Sequence, residues 1–143
     1  MDKLDQALAR KDGKGLENFL HFPKYLHIET VSTCNARCIM CPVEEWKRAS
    51  KLMSDELYDK ILKEIEPFAH WIEMVTVHLD GEPLIDKKLE SRVRVLKQIG
   101  IRKATISSNA SLMTPKRAEA ILRSGMDEVT FSIDGATKKT FEL

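Results

Sequence analysis

Apolar and polar positions along the chain alternate between two periods. Four short runs rich in β-branched and aromatic residues read as strands: Tyr25 to Ser32 (YLHIETVS), Trp71 to Leu79 (WIEMVTVHL), Ile101 to Ser108, and Glu128 to Ile133. Between them the apolar residues fall at helical spacing. Ser54 is placed to cap a helix with Asp55 and Glu56 in its first turn, Leu57, Tyr58, Ile61, Leu62 and Ile65 at helical spacing, and Pro67 near its end. Leu89, Val93, Leu96 and Ile99 stripe a second helix, which Gly100 stops as a C′ residue. Thr114 and Pro115 are the N-cap and first residue of a third, carrying Ala118, Ile121 and Leu122 as far as Gly125. Residues 2 to 20, with Leu4, Ala7 and Leu8, predict a helical extension interrupted at Gly13-Lys14-Gly15, and the chain ends at Leu143 in a further helical segment. The pattern divides into an N-terminal extension, 1–24, and an α/β body, 25–143.

Strands that alternate with helices of this length imply crossover connections and a parallel sheet. In such sheets functional groups gather in the loops beyond the carboxyl ends of the strands. The polar motifs fall there: three cysteines after the first strand, Asp80-Gly81-Glu82-Pro83 after the second, Ser108-Asn109 after the third, Asp134-Gly135 after the fourth. In the fourth strand Val129, Phe131 and Ile133 alternate with Glu128, Thr130, Ser132 and Asp134. Its apolar face is expected to pack on helices, and its polar face to line a wet or ligand-filled barrel interior.

Composition excludes several classes. In 143 residues, 23 Lys and Arg balance 22 Asp and Glu to a net charge of +1, which disfavours a nucleic-acid binder working through a general positive field. No apolar run approaches the ~20 residues of a membrane span. The start, Met1-Asp2-Lys3-Leu4-Asp5, lacks the apolar core of a signal peptide. The expectation is a soluble, cytoplasmic domain with no membrane and no nucleic-acid partner.

The cysteines change the picture. All three, Cys34, Cys38 and Cys41, lie within eight residues spaced C-x3-C-x2-C. An odd, clustered set in a chain that reads as cytosolic points to a metal and away from a disulfide framework. Three thiolates on one short loop can hold three corners of a [4Fe–4S] cube and leave the fourth iron without a protein ligand. A structural zinc site wants a fourth Cys or His at matching spacing, and neither His21 nor His27 provides it. Ser132 on the polar face of its strand is a ligand candidate, Asp134 and Asn109 serve equally as turn-formers, and His78 reads as a satisfied strand residue.

The segment Cys34 to Pro42 (CNARCIMCP) resembles the cluster loop of the radical S-adenosylmethionine superfamily, C-x3-C-x-aromatic-C. Asp80-Gly81-Glu82-Pro83-Leu84 is similar to that family's Gly-Gly-Glu turn, and Ser107-Ser108-Asn109-Ala110 to its frequent Thr-Asn-Gly. Phe131-Ser132-Ile133-Asp134-Gly135 completes the match, which runs over residues 25 to 143. The style of these motifs resembles the branch with SPASM or twitch C-terminal domains. The resemblance implies a partial (β/α) barrel, with about four of the six βα units present here. It implies a [4Fe–4S] cluster on Cys34, Cys38 and Cys41, with S-adenosylmethionine on the open iron. The cofactor would be cleaved reductively to a 5′-deoxyadenosyl radical that abstracts hydrogen from a substrate.

By the same resemblance Met40, in place of the usual aromatic, lies near adenine. The Gly81-Glu82-Pro83 turn receives the methionine amino group, and Ser108, Asn109 and Ser132 are candidates for its carboxylate or the ribose. No residue is singled out as catalytic. Partners implied are a small-molecule or peptide substrate and an electron donor such as a flavodoxin or ferredoxin. With four units of six, the chain reads as a fragment or as a short product of reduced function. The fourth strand's exposed edge is then expected to drive self-association or pairing with a partner chain. The alternative from another class is a cluster-binding module without turnover, serving as an electron carrier or as a subunit completed by a partner; a zinc-binding interaction domain stands third.

Overall fold

The computed structural model of the protein describes residues 22–45 and 52–141. The expected helix over residues 2 to 20, and residues 46–51 of the cysteine-bearing connection, lie outside the described residues. Four parallel strands form one sheet in chain order: β1 (Tyr25–His27), β2 (Met74–Thr76), β3 (Ala104–Ser108) and β4 (Glu128–Phe131). The helices α1 (Asp55–Ile65), α2 (Leu89–Gln98) and α3 (Pro115–Arg123) lie in the connections, and α4 (Lys138–Phe141) follows β4. Right-handed crossovers that advance one strand at a time in one direction set their helices on one side of the sheet. That is the partial-barrel arrangement; a doubly wound sheet needs its strand order to reverse.

The register shows what this does to the two faces. Leu26, Val75 and Ala104 lie side by side, and one residue on so do His27, Thr76, Thr105 and Glu128. The first row, with Ile28, Val77 and Ile106, joins Tyr58, Leu62, Val93 and Leu96 of the helices in one core. The second row is polar, and the buried Thr76 and Thr105 hydroxyls meet at 3.0 Å. One face is roofed by helices; the other is built from hydroxyls, imidazoles and carboxylates.

The helices begin and end for local reasons. Ser54 Oγ accepts from Leu57 N at 3.2 Å and Thr114 Oγ1 from Arg117 N at 3.2 Å, each satisfying an amide that the first turn leaves unpaired. Gly100 (φ 96°) and Gly125 (φ 87°) take the left-handed conformation just beyond α2 and α3, which a side chain would strain. Leu57, grouped with the α1 stripe, is exposed: the buried face centres on Tyr58, Leu62 and Ile65, and Leu57 projects off it.

The strands are shorter than the apolar runs. Ile28 N makes the last bond from this segment to β2, donating to Thr76 O at 2.9 Å, and Val31 then bridges Leu52 in the antiparallel sense. Trp71 and Ile72 belong to a turn, both amides donating to Phe68 O, and Ile101 donates to Leu96 O at the end of α2. The face expected of the fourth strand needs correcting more substantially. Val129 is partly buried, but Phe131 is 49% and Ile133 66% exposed, because β4 has a single neighbour, β3, among the described residues and lies at the sheet margin. Their apolar surface is not packed on helices.

Candidate functional site

Cys34 begins the loop that follows β1. Cys34 and Cys41 are half-buried, Cys38 is exposed, and all three are free thiols. Cys41 N donates to Cys38 O at 2.9 Å, making a tight turn before the short 3-10 segment Pro42–Glu44. Arg37 Nη1 donates to the Cys34 and Ala36 carbonyls at 3.3 Å, and Ala36 N donates to Cys34 Sγ at 3.4 Å. Among the described residues no three Cys, His, Asp or Glu side chains are already gathered as a metal site. The donor set is nonetheless of the right kind: three unpaired thiols on one short loop, one already receiving an amide N–H, suit a thiolate-held iron–sulfur cluster.

The Asp80–Pro83 turn presses against the stem of this loop. A Cβ on Gly81 would lie 2.1 Å from Val31 O and 3.0 Å from Thr33 O, so only glycine fits between the two segments. Glu82 N donates to Thr33 O at 2.9 Å, and the amides of Asp80 and Gly81 donate to Glu29 Oε1 at 3.1 and 3.3 Å. The Glu82 side chain is 3% exposed and fully engaged. Its Oε1 accepts from Ser108 Oγ at 2.7 Å and Leu84 N at 3.0 Å, and its Oε2 from Asn109 N at 2.9 Å. One carboxylate thereby fastens its own turn to the tip of β3.

Asn109 continues the chain of contacts to the cysteine loop. Its Nδ2 donates to Asn35 Oδ1 at 3.0 Å and to Cys34 Sγ at 3.8 Å, and its Oδ1 accepts from Ser111 N at 3.0 Å and Ser111 Oγ at 2.6 Å. Ser108 Oγ also accepts from Ala110 N at 3.0 Å. Ala110 holds φ 61°, a left-handed conformation, at the position where the motif it resembles often has glycine.

The structure therefore brings Cys34, Gly81, Glu82, Pro83, Ser108 and Asn109 into one cluster at the carboxyl ends of β1, β2 and β3. Met40, 71% exposed, projects from the loop outside this bonded network. Ser132 reaches it through backbone alone, Ser132 N donating to Ser108 O at 2.9 Å, with its side chain exposed. His78 accepts from Ser107 N at 3.2 Å. Burial, and then the neighbouring His27, hold its imidazole below the ordinary histidine range, against the opposing pull of Glu82, Asp80 and Glu29.

Four supporting residues escaped the sequence reading: Glu29, Asn35, Ser111 and Arg117. Arg117 of α3 pairs with Glu90 at 2.9 Å and donates to the Leu84 and Asp86 carbonyls at 2.5 Å, gripping the segment just beyond Glu82. Lone polar residues of this kind carry no periodic or motif signal. Only Asn35 and Ser111, each next but one or nearer to a motif residue, had any positional hint.

Comparison with known proteins accords with this geometry. The family model described as the Radical SAM superfamily matches residues 28–142. The tungsten-containing aldehyde ferredoxin oxidoreductase cofactor-modifying protein of Pyrococcus furiosus is 34% identical over 111 residues, covering 78% of this chain and 31% of that protein. GTP 3′,8-cyclase of Pelotomaculum thermopropionicum is 35% identical over 115 residues, covering 77% and 34%. The chain thus spans about a third of the length of these curated relatives. Among solved structures, BtrN in complex with AdoMet and 2-DOIA superposes with a TM-score of 0.71 at 25% identity, covering 81% of this chain and 48% of that one. Methylornithine synthase (PylB), at 14% identity and a TM-score of 0.62 over 97% of this chain and 45% of its own, shares the fold. Because the matched span takes in the cysteine loop, the glycine-dependent turn braced by Glu82 and the β3 tip that joins them, the chain belongs to the radical SAM superfamily.

Proposed function

We propose that this chain forms the cluster- and S-adenosylmethionine-binding part of a radical enzyme. Members of the superfamily use a [4Fe–4S] cluster and S-adenosylmethionine; when bound, these supply reductive cleavage to a 5′-deoxyadenosyl radical for hydrogen abstraction from the substrate. Cys34, Cys38 and Cys41 are the cluster ligands in this reading. Arg37 holds the loop between them by its two carbonyl contacts, and the solvent-facing Cys38 and Met40 leave the loop open for loading. The Gly81–Pro83 turn receives the amino group of methionine through its backbone, since the Glu82 carboxylate already accepts three donors and serves to hold the turn in place. Met40 covers adenine with a polarizable thioether. Ser132, on the polar face beyond β4, takes the carboxylate or the ribose, with Ser108 and Asn109 shaping the floor beneath it. An electron donor of the flavodoxin or ferredoxin type and a small-molecule or peptide substrate complete the scheme.

The observation that carries this reading is the continuous hydrogen-bonded path from Glu82 through Ser108 and Asn109 to Cys34, which joins three strand ends around one cysteine loop. Anaerobic reconstitution with iron and sulfide should load about four iron per chain. The load should disappear when Cys34, Cys38 and Cys41 become Ala, and the loaded chain should form 5′-deoxyadenosine from S-adenosylmethionine under reductant. One tightly held zinc per chain without acid-labile sulfide would reject the cluster. Full loading without 5′-deoxyadenosine would favour a binding module lacking turnover.

A further inference from the structure

The backbone amide of Ser111 orients the Asn109 side chain. Both lone pairs of its Oδ1 are taken by Ser111, through the backbone amide at 3.0 Å and the hydroxyl at 2.6 Å. Ser111 Oγ in turn accepts from Asn35 Nδ2 at 2.7 Å, and Asn35 Oδ1 accepts from Asn109 Nδ2 at 3.0 Å. Three side chains, two from the loop after β1 and β3 and one from the turn beyond, close a ring of hydrogen bonds. Flipping the Asn109 amide would set its NH2 against the Ser111 backbone N–H, a donor that cannot become an acceptor. Asn109 Nδ2 also donates to Cys34 Sγ at 3.8 Å. The Asn109 backbone is pinned as well, its N–H bonded to Glu82 Oε2.

Among the described residues Cys34 differs from the other two cysteines in this respect. Its sulfur accepts both Ala36 N at 3.4 Å and Asn109 Nδ2. A hydrogen bond to a ligating thiolate withdraws negative charge from the metal–sulfur unit, favours the more negative, reduced state, and so raises the reduction potential. An ionised, metal-bound sulfur is also a stronger acceptor than the free thiol.

We propose that Asn109, held by Ser111 and Asn35, is a positioning residue that donates a hydrogen bond to the Cys34 thiolate and raises the reduction potential of the cluster. The inference rests on the functional reading above, in which Cys34 is a cluster ligand, and it assigns the Asn109 side chain to the cluster, not to S-adenosylmethionine. It also gives the β3 tip a way to sense the cluster's charge: the ring joins the ligand loop to the same strand end that Glu82 fastens to the turn.

The test uses the full chain, reconstituted without oxygen and without S-adenosylmethionine, so that cofactor binding and turnover play no part. Asn109→Leu keeps the approximate volume and removes the donor. It should retain the iron load of the parent, yet show a ratio of reduced to oxidised cluster roughly threefold to tenfold lower at a fixed poise, tenfold being 59 mV for a one-electron couple. The iron–sulfur stretching bands in the resonance Raman spectrum should move with it. Ser111→Ala leaves the amide in place but removes the hydroxyl of the ring, and should shift the ratio in the same direction by less. If Asn109→Leu loads normally and its potential and bands match those of the parent, the proposal is wrong. If Asn109→Leu cannot hold the cluster, Ser111→Ala decides: a shifted potential supports the proposal and an unchanged one overturns it. A parent chain that never takes up a [4Fe–4S] cluster overturns the functional reading itself, which no variant result can do.

Discussion

Glu82 and Ser108, one on the turn after β2 and the other at the last residue of β3, are both buried and share a 2.7 Å hydrogen bond. The same carboxylate accepts from Leu84 N and Asn109 N, so three donors from two strand ends converge on one acceptor group. Replacing it by an amide sets an NH2 against a donor. Glu82→Gln is expected to destabilise the fold by roughly 1–3 kcal/mol, and Ser108→Ala, which removes one donor of three, by less. Urea denaturation measures both; a Glu82→Gln midpoint equal to the parent's would show that the carboxylate is not a brace.

Gly81 sets the distance between the turn and the cysteine loop. With Val31 O where a Cβ would be, the Gly81→Ala change forces two backbones apart, at a cost of roughly 1–3 kcal/mol or more. The loop that carries Cys34 should move with it. Reduced iron loading together with a lower denaturation midpoint is expected; normal values of both would mean that the contact yields easily.

Ala110 holds a left-handed backbone at φ 61°, which costs a β-carbon residue about 1–2 kcal/mol. Ala110→Gly relieves that strain and should stabilise the chain by roughly 0.5–1 kcal/mol after the greater freedom of glycine in the unfolded state is counted. A thermal scan reads the difference directly. A lower midpoint for Ala110→Gly would contradict it.

His78 makes stability depend on pH with a definite sign. Burial and His27 lower its folded value below that of the unfolded chain, about 6.5. Above that pH both states are neutral and the histidine contributes no slope. As pH falls from there toward the depressed folded value, the unfolded chain binds the proton first, and stability declines. Protonation would also replace the acceptor that His78 Nδ1 offers to Ser107 N with a donor. Denaturation midpoints at pH 7.5 and 5.5 should therefore differ more for the parent than for His78→Asn. Equal losses would place the acid sensitivity elsewhere.

The outer edge of β4 has no strand beside it among the described residues, and Phe131 and Ile133 stand beside it largely exposed. Such an edge pairs readily with another chain. The 143-residue chain should self-associate in sedimentation, and Phe131→Lys with Ile133→Lys should return it to a monomer. A parent that sediments as a monomer at all concentrations would rule this out.

The alternation of strand and helix, the caps at Ser54 and Thr114, the glycine stops and the cysteine spacing were all legible along the chain, because each depends on residues within a few positions of one another. No helix among the described residues is long and apolar enough to cross a membrane. The ends of the strands were not legible in the same way. An apolar run such as YLHIETVS continues past the point where a neighbour still offers backbone partners, and only the assembled sheet sets where β1 stops. Phe131 and Ile133 have the alternation of a packed strand and yet lie exposed, because burial depends on what covers a residue and not on its own period.

The site divides along the same line. Sequence alone determined which residues arrive at the strand ends: the thiols, the Gly81 turn, Ser108 and Asn109. Tertiary structure decided which of them touch. Glu82 turns inward to Ser108 and Asn109, and Asn109 turns to Cys34, 75 residues away in the chain. Glu29 and Arg117 enter the same framework from β1's end and from α3. Hydrogen bonds between residues so distant depend on the close packing of parallel strands, which local sequence does not encode.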